Sequence, residues 1–215
     1  MSQQNSKIQP SNGWAVAAGL RLPIPPNKER GVFFRSISGI SRFFGRPELP
    51  NIFPVINTNR RLFWAWLFFA SRLMPFGRLP ARTRELVILR VAFNCRSRYE
   101  FAQHLEIAQR LGVNDQDILA TTKPAEQCAE QHLQALLLAC DCVCKKQPIN
   151  DQVWQTLRQH YSDKLLIELL MLIGHYQLVA AVLINAAVPI EKDIEANLVA
   201  FELKTGSESE KSMPL

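Results

Sequence analysis

The chain has 215 residues, of which 47% are hydrophobic and 20% charged, so it contains enough apolar sequence for the core of one domain. Residues 1–13 lack the basic segment and apolar run of a secretory signal, and a cytoplasmic location is therefore expected. Five cysteines, an odd number, argue against a disulfide framework.

Charge is unevenly distributed along the chain. Residues 1–98 contain 16 Lys or Arg against 3 acidic residues, whereas residues 99–215 contain 9 against 16. The basic half suits an anionic substrate, an anionic surface or the acidic half of a neighbouring subunit. Solvated arginines on the surface of an oligomer are the simplest interpretation. The sequence has no helix-turn-helix, zinc or sheet-type motif for nucleic acid, so no nucleic-acid partner is expected.

The first third of the chain is rich in proline and then in aromatic residues. Residues 1–29 are polar and contain four prolines, which predicts an extended or disordered N-terminal arm. Helices are predicted at about 30–44 and 59–74, and nine of the twelve Phe lie before residue 77. This concentration predicts a packed layer or a partner interface. A segment lying on a membrane surface is the alternative.

The following helices are predicted from their start and stop residues. Pro80 begins a helix that runs to about residue 94. Ser97 with Glu100 three residues later matches a capping box, so the next helix is expected to run to Leu111 and stop at Gly112. Asn and Ser caps and Pro124 predict four more helices, at about 114–121, 125–146, 150–160 and 163–188.

These elements predict an all-α domain of roughly seven or eight helices over residues 30–204, followed by a polar tail at 205–215. Residues 82–93 and residues 163–176 each contain a basic residue, then Glu-Leu, then a run of apolar residues. This similarity is consistent with an internal duplication of a helical unit.

The last predicted helix is long enough to cross a membrane. Glu168, His175, Gln177 and Asn185 interrupt it, however, and a carboxylate in hydrocarbon is costly. Glu168 and His175 are seven residues apart and so share a helix face. We therefore expect a helix buried inside an assembly, with one polar stripe.

The three cysteines in ACDCVC do not have the paired spacing of a zinc site. On a helix only Cys140 and Cys144 share a face, and Cys142 points away. The pattern favours small fillers of a helical core over metal or redox ligands. We expect no metal and no cofactor.

An acid–base group is predicted in the helix that starts at Ser97. Glu100 and His104 are one turn apart, so their side chains can touch, and a carboxylate orients an imidazole and favours its charged form. A histidine near neutrality moves a proton in either direction. Tyr99 can donate a hydrogen bond to a substrate oxygen, and the free amides of the helix start attract an anion.

A longer stretch carries a family resemblance. Residues 79–113, LPARTRELVILRVAFNCRSRYEFAQHLEIAQRLGV, followed by residues 147–189, resemble the carboxymuconolactone decarboxylase family, which includes the alkylhydroperoxidase D proteins. The resemblance covers about residues 30–190. It is closest to the subgroup with a Tyr-Glu-Trp-x-x-His motif, which reads YEFAQH at residues 99–104.

In the peroxidase branch the resemblance implies a Glu, two Cys separated by two residues, and a His. The Glu and His fall on Glu85 and His104, but the two Cys positions fall on Ser97 and Glu100. Neither side chain can form the thiolate that disulfide exchange requires. Cys95 lies two residues earlier, and no partner is expected near it. The resemblance therefore argues against the standard peroxidase chemistry.

The resemblance and the residues together predict a cofactor-independent acid–base enzyme of lyase type that acts on a small organic acid or lactone. His104 is expected to carry the proton, with Glu85, Glu100 and Tyr99 as its catalytic partners. Residues expected to bind the anionic substrate are Arg96, Arg98, Ser97, His175, Tyr176 and Glu168.

Simpler roles and other functions stay open at this stage. Glu100 can serve only as a cap, and Glu85 can form a structural ion pair with Arg82 or with a basic residue from another helix. One alternative function is peroxide reduction through Cys95 or another non-standard cysteine. Another is a non-catalytic binding or assembly protein that uses the basic aromatic N-terminal region. In each case a homo-oligomer is expected, as a dimer, trimer or hexamer.

Overall fold

The computed structural model describes residues 8–19, 21–31, 34, 36 and 49–211, and all regular structure in these residues is helical. The all-α class is confirmed. The α-helices are α1 Ile52–Ile56, α2 Arg60–Leu73, α3 Ala81–Asn94, α4 Arg98–Arg110, α5 Asp115–Ala120, α6 Gln131–Cys144, α7 Asp151–His160, α8 Asp163–Ala186 and α9 Lys192–Lys211. The predicted helix at about 30–44 lies largely outside the described residues.

Several predicted helix ends are confirmed by their local hydrogen bonds. The side chain of Asn114 accepts from the N–H of Asp117, and that of Asn150 accepts from the N–H of Val153. Gly112 follows α4 with φ at 73°, the left-handed conformation that ends many helices.

Three parts of the predicted pattern are wrong. The sequence predicted one helix at 125–146, but a 3-10 turn at Ala125–Gln127 and an extended backbone at Cys128 and Glu130 precede α6. Helix α1 was missed because its five residues are too short for a periodic pattern. Helix α9 was also missed, and it runs from Lys192 through the start of the polar tail to Lys211.

Helix α3 is the central element of the bundle. Its ten residues from Thr83 to Ala92 are all buried, as expected for a helix that is apolar on nearly all sides. One face, with Val87 and Val91, packs into a core shared with α6, α7 and α8. The opposite face, with Leu86 and Leu89, packs into a core shared with α4, α5 and α9. Polar residues on α3 are therefore held inside protein on both sides.

A buried arginine fixes α3 against α6. Arg90 donates from Nε and Nη2 to the two carboxylate oxygens of Asp141, at 2.7 and 2.6 Å. Its Nη1 donates to the carbonyls of Thr121 and Lys123. Such a bidentate, charge-assisted pair sets both distance and orientation. The ends of α3 and α6 are consequently held side by side.

Helix α8 has the length and mean hydropathy of a membrane span, but ten of its residues are buried against the bundle, as in a core helix. Its Glu168 accepts hydrogen bonds from the N–H groups of Arg78 and Leu79, at 2.7 and 2.9 Å. The loop that leads into α3 is thereby fixed to α8. The outer face of α8 exposes Ile167 and Leu178, and self-association through such a face stays a prediction.

The described part of the N-terminal arm lies against the helices. Ile8 is buried, and Trp14 packs against Phe93 and Phe101 with ring centroids 6.0 and 5.5 Å away. The N–H of Ala15 donates to the carbonyl of Arg96. An extended arm therefore covers the turn between α3 and α4.

Candidate acid–base site

The centre of the candidate site is an ion pair between α3 and α4. Nδ1 of His104 lies 2.7 Å from Oε2 of Glu85, whose side chain is 0% exposed. The His104 side chain is 9% exposed. Because Nδ1 is taken by Glu85, Nε2 is the ring nitrogen that remains to exchange a proton with a bound molecule.

Arg84 completes this ion pair. Its Nε donates to Oε1 of Glu85 at 3.2 Å, and its side chain is 8% exposed. The alternative pairing of Glu85 with Arg82 is wrong, since Arg82 donates instead to Asp117 and Glu130 at the surface. A buried carboxylate needs such partners, because an unpaired charge in the interior is very costly.

Glu100 lies in the first turn of α4 and is 2% exposed. The predicted capping box is wrong, because Ser97 is the N-cap residue but makes no side-chain capping bond. Ser97 Oγ and both carboxylate oxygens of Glu100 are buried without a hydrogen-bond partner. Burial, and then the nearby Cys144, raise the pKa of Glu100 well above its ordinary value. Burial therefore favours the neutral form of this carboxyl group.

Tyr176 on α8 faces both carboxyl groups. Its ring meets that of His104 edge-on, with centroids 4.9 Å apart. Burial, and then Glu85 and Glu100, raise the pKa of Tyr176 well above its ordinary value. Tyr176 therefore stays a neutral phenol, and its hydroxyl contacts Met74 Sδ at 3.2 Å.

His175 points into an aromatic cluster. Its ring is 6.1 Å from that of Trp66, 5.3 Å from that of Phe69 and 5.3 Å from that of Tyr176. Burial, and then His104, lower the pKa of His175 to about 4. The imidazole is consequently neutral at physiological pH, and it packs as an aromatic ring.

Tyr99 is positioned by the C-terminal part of the chain. Its hydroxyl donates to Oε1 of Glu191 at 2.8 Å and accepts from the N–H of Ile52 at 3.3 Å. Oε2 of Glu191 accepts from Gln103. Burial, and then Glu191, raise the pKa of Tyr99 well above its ordinary value. The structure thus pairs Tyr99 with Glu191.

Arg96, Arg98 and Glu168, which were predicted to bind the substrate, bond other parts of the protein instead. Arg96 donates to the carbonyls of Asn12 and Gly13, and Arg98 pairs with Glu195. Glu168 accepts from the loop before α3. Arg84 is instead the cation that touches the Glu85–His104 pair. Its position next to Glu85 on an apolar helix was the one sequence signal that pointed to it.

Cys95 follows α3 and is half-buried. The neighbouring Cys144, and then burial, raise the pKa of its thiol. Cys140 is fully buried in the core, as predicted for a small filler. Among the described residues no group of three or more His, Cys, Asp or Glu is arranged to hold a metal ion.

The arrangement is an interior acid–base centre with very limited access to water. A surface pocket between α5 and α6 lies elsewhere and is lined by Asp117, Cys128 and Glu130 among others. The centre combines a carboxylate-oriented imidazole with a neutral carboxyl group. An imidazole and a protonated carboxyl group in the same protein interior can together accept and donate a proton.

Comparisons with known proteins agree with this fold. Residues 60–139 match the model of the Carboxymuconolactone decarboxylase family. The debrominase Bmp8 in complex with 2,3,4-tribromopyrrole has 16% identity and a TM-score of 0.70, over 85% of this chain and 98% of that one. An uncharacterized peroxidase-related protein with an alkylhydroperoxidase AhpD core, from Ralstonia eutropha, has 16% identity and a TM-score of 0.72, over 83% and 96%.

A third similar structure is a protein of unknown function from Agrobacterium tumefaciens, named as a candidate antioxidant defence protein AhpD. It has 21% identity and a TM-score of 0.56, over 60% of this chain and 90% of that one. No curated protein matches the chain in sequence. The matched segment contains α3, α4 and most of α6, and its helices have the arrangement of the alkylhydroperoxidase D-like fold. The resemblance to the carboxymuconolactone decarboxylase family is therefore confirmed over residues 60–139.

Proposed function

We propose that the protein is a cofactor-independent acid–base enzyme of lyase type that acts on a small organic acid or lactone. The observation that carries the proposal is the buried carboxyl group of Glu100, which has no hydrogen-bond partner. Leaving a buried polar group unsatisfied costs about 1–3 kcal/mol. A side chain with this cost and no structural contact is well placed to bond a substrate instead.

The proposed proton carrier is His104. Glu85 holds the ring through Nδ1, and Arg84 bonds the other carboxylate oxygen of Glu85. Nε2 is then the donor toward a bound molecule. Because the side chains lie in an interior with little water, their electrostatic effect on a developing negative charge is stronger than in solvent.

Decarboxylation of a β-keto acid or lactone carboxylate shows how these groups act. The bond between the carboxyl carbon and the α-carbon breaks, carbon dioxide leaves, and the electron pair moves into the carbonyl as an enolate. The neutral Glu100 carboxyl donates a hydrogen bond to that oxygen. His104 then gives its proton to the α-carbon and is protonated again by solvent. One proton is consumed for each carbon dioxide released.

The near-complete burial of this centre favours a small substrate. Arg84 and His104 bond the same carboxylate, so Arg84 supplies a positive charge near the centre that suits an anion. Bmp8 is a debrominase that was crystallised with a brominated pyrrole. Its example supports small, polarised ring compounds as members of a substrate panel for this chain.

The proposal is tested by a panel of small lactones, keto acids and hydroperoxides, with product formation followed by mass spectrometry. His104→Gln keeps a neutral polar side chain but cannot transfer a proton, so we expect its kcat/KM to fall at least about 100-fold. Glu100→Gln should lower the rate while keeping substrate affinity within a few-fold.

The matched control is His132→Gln, which removes a histidine near another glutamate outside the site. We expect it to keep wild-type activity. The proposal would be wrong if His104→Gln retained full activity, or if the wild type converted no lactone or acid in the panel. Conversion of hydroperoxides alone would favour the antioxidant alternative.

A further inference from the structure

Helix α2 lies on the surface of the bundle and has two unlike faces. Its inner face is buried, with Phe63 0% and Leu73 5% exposed. Four exposed residues at positions i, i+3, i+7 and i+11 share the outer face, and we call them the basic aromatic face: Arg61, Trp64, Phe68 and Arg72. Trp64 is 41% exposed and Phe68 is 65% exposed, so both rings face solvent rather than the core.

The arginines of this face have no acidic partner. Residues 49–84 contain six Arg but no Asp or Glu. Among the described residues, neither Arg61 nor Arg72 forms an ion pair. The guanidinium of Arg72 instead lies over the ring of Phe68, 4.9 Å from its centroid. The basic aromatic face therefore carries positive charge that neighbouring side chains do not neutralise.

The loop after α2 extends this face. The N–H of Phe76 donates to the carbonyl of Ser71, so Phe76 lies beside the last turn of the helix. Phe76 is 70% exposed. Arg78 is exposed as well, and within the described part of the chain its side chain forms no ion pair. A third exposed aromatic ring and a third unpaired arginine thus adjoin the basic aromatic face.

Exposed aromatic rings combined with unpaired arginines are typical of segments that lie on an anionic bilayer. Aromatic rings enter the boundary between headgroups and acyl chains, while arginine side chains extend to the lipid phosphates. We propose that the protein docks peripherally on an anionic lipid surface through the basic aromatic face of α2, with Phe76 inserted beside it.

Charge favours lipid over a second copy of this chain at α2. A two-fold contact of the face with itself would bring Arg61 and Arg72 of both copies into one interface, and like charges there are unfavourable. The exposed apolar face of α8 differs, because α8 contains no arginine. Duplex nucleic acid would neutralise the arginines but would give Phe68 and Phe76 no apolar partner. An anionic bilayer supplies both the charge and the apolar phase.

The test measures co-sedimentation of the full-length protein with vesicles of phosphatidylcholine alone, or of equal amounts of phosphatidylcholine and phosphatidylglycerol. We expect binding to the anionic vesicles only, and weaker binding as salt is added, because salt screens the attraction. One arginine near an anionic surface raises affinity about fivefold. The double variant Arg61→Gln with Arg72→Gln should therefore bind about 25-fold more weakly.

The matched control removes two arginines elsewhere on the surface, Arg110→Gln with Arg158→Gln, whose side chains are each 51% exposed. This variant loses the same net charge, and we expect it to bind within a few-fold of the wild type. Depth is measured with lipids brominated on their acyl chains, which quench tryptophans that enter the bilayer. The quenching of the wild type should be largely lost in Trp64→Phe. Circular dichroism checks that each variant is folded.

Several outcomes would overturn the proposal. The wild type would fail to bind the anionic vesicles, both double variants would lose binding equally, or brominated lipids would quench the wild type and Trp64→Phe alike. Preferential binding to a DNA duplex would also contradict it. So would a dimer, seen by analytical ultracentrifugation, that Phe68→Ser converts to a monomer. These readouts need no substrate and are independent of the proposed lyase activity.

Discussion

Two histidine–glutamate pairs in this protein have the same chemistry and opposite surroundings. Nδ1 of His104 is 2.7 Å from Glu85, whose side chain is 0% exposed. Nδ1 of His132 is 3.7 Å from Glu130, whose side chain is 49% exposed. Water screens the second pair, but protein surrounds the first. The difference teaches that burial, more than residue type, decides how much stability depends on keeping a charged pair intact.

Removal of the carboxylate from each pair should have the largest effect and separate the two most clearly. Glu85→Ala leaves Arg84 and His104 unpaired in the interior, so we expect it to lower the free energy of unfolding by about 3–5 kcal/mol. Glu130→Ala should lower it by less than about 1 kcal/mol. Urea unfolding followed by circular dichroism measures both. Equal losses in the two variants would contradict the comparison.

A smaller effect is expected from Glu100, through pH. Burial raises its folded-state pKa, so the folded protein holds this proton more tightly than the unfolded chain. This contribution to stability is complete below the ordinary carboxyl pKa and is lost as pH rises through the raised folded value. Glu100→Gln removes the ionisation. The variant should therefore gain stability relative to the wild type as pH rises, by about 1–3 kcal/mol.

Unfolding free energies at several pH values from about 4 to about 9 test this expectation. Glu106→Gln is the control, because Glu106 lies on the same helix and pairs with Arg110 near the surface. Its stability should follow that of the wild type in parallel. A parallel curve for Glu100→Gln as well would show that the carboxyl group does not titrate as inferred.

The smallest effect is expected at the surface pair. Burial, and then His160, lower the pKa of His132, and the two ring centroids are 4.3 Å apart. His160→Asn removes the charge but not the burial. The pKa of His132 should therefore rise toward, but not reach, its ordinary value. Titration of the imidazole resonances by NMR measures it, and an unchanged pKa would exclude charge coupling between the two rings.

Local sequence patterns were sufficient for most helices but not for the contacts between them. Capping residues and apolar periodicity predicted α3, α4, α7 and α8 within a few residues, because these signals act within one helix. Helix α1 was too short for such a signal. The break before α6 depends on an extended backbone at Cys128 and Glu130, where the sequence contains no proline or glycine.

The candidate site illustrates the same limit. The sequence placed Glu100 beside His104 on one helix, but the partner of His104 is Glu85 on the preceding helix. Arg90 and Asn94 reach Asp141 only because α3 and α6 lie side by side. Contacts of this kind depend on how helices cross, and patterns within a single helix do not show this. Whether these residues catalyse a reaction stays a prediction.

A half-buried glycine in the loop before α3 affects the orientation of that helix. A Cβ added at Gly77 would lie 2.3 Å from the carbonyl oxygen of Leu73 and 2.8 Å from the Glu168 oxygen that binds the loop. Any larger residue must displace one of them, and the first turn of α3 begins only four positions later. A rotation of that helix about its axis would turn Glu85 away from His104. Glycine at this half-buried position therefore helps to keep α3 in the orientation that points Glu85 at His104.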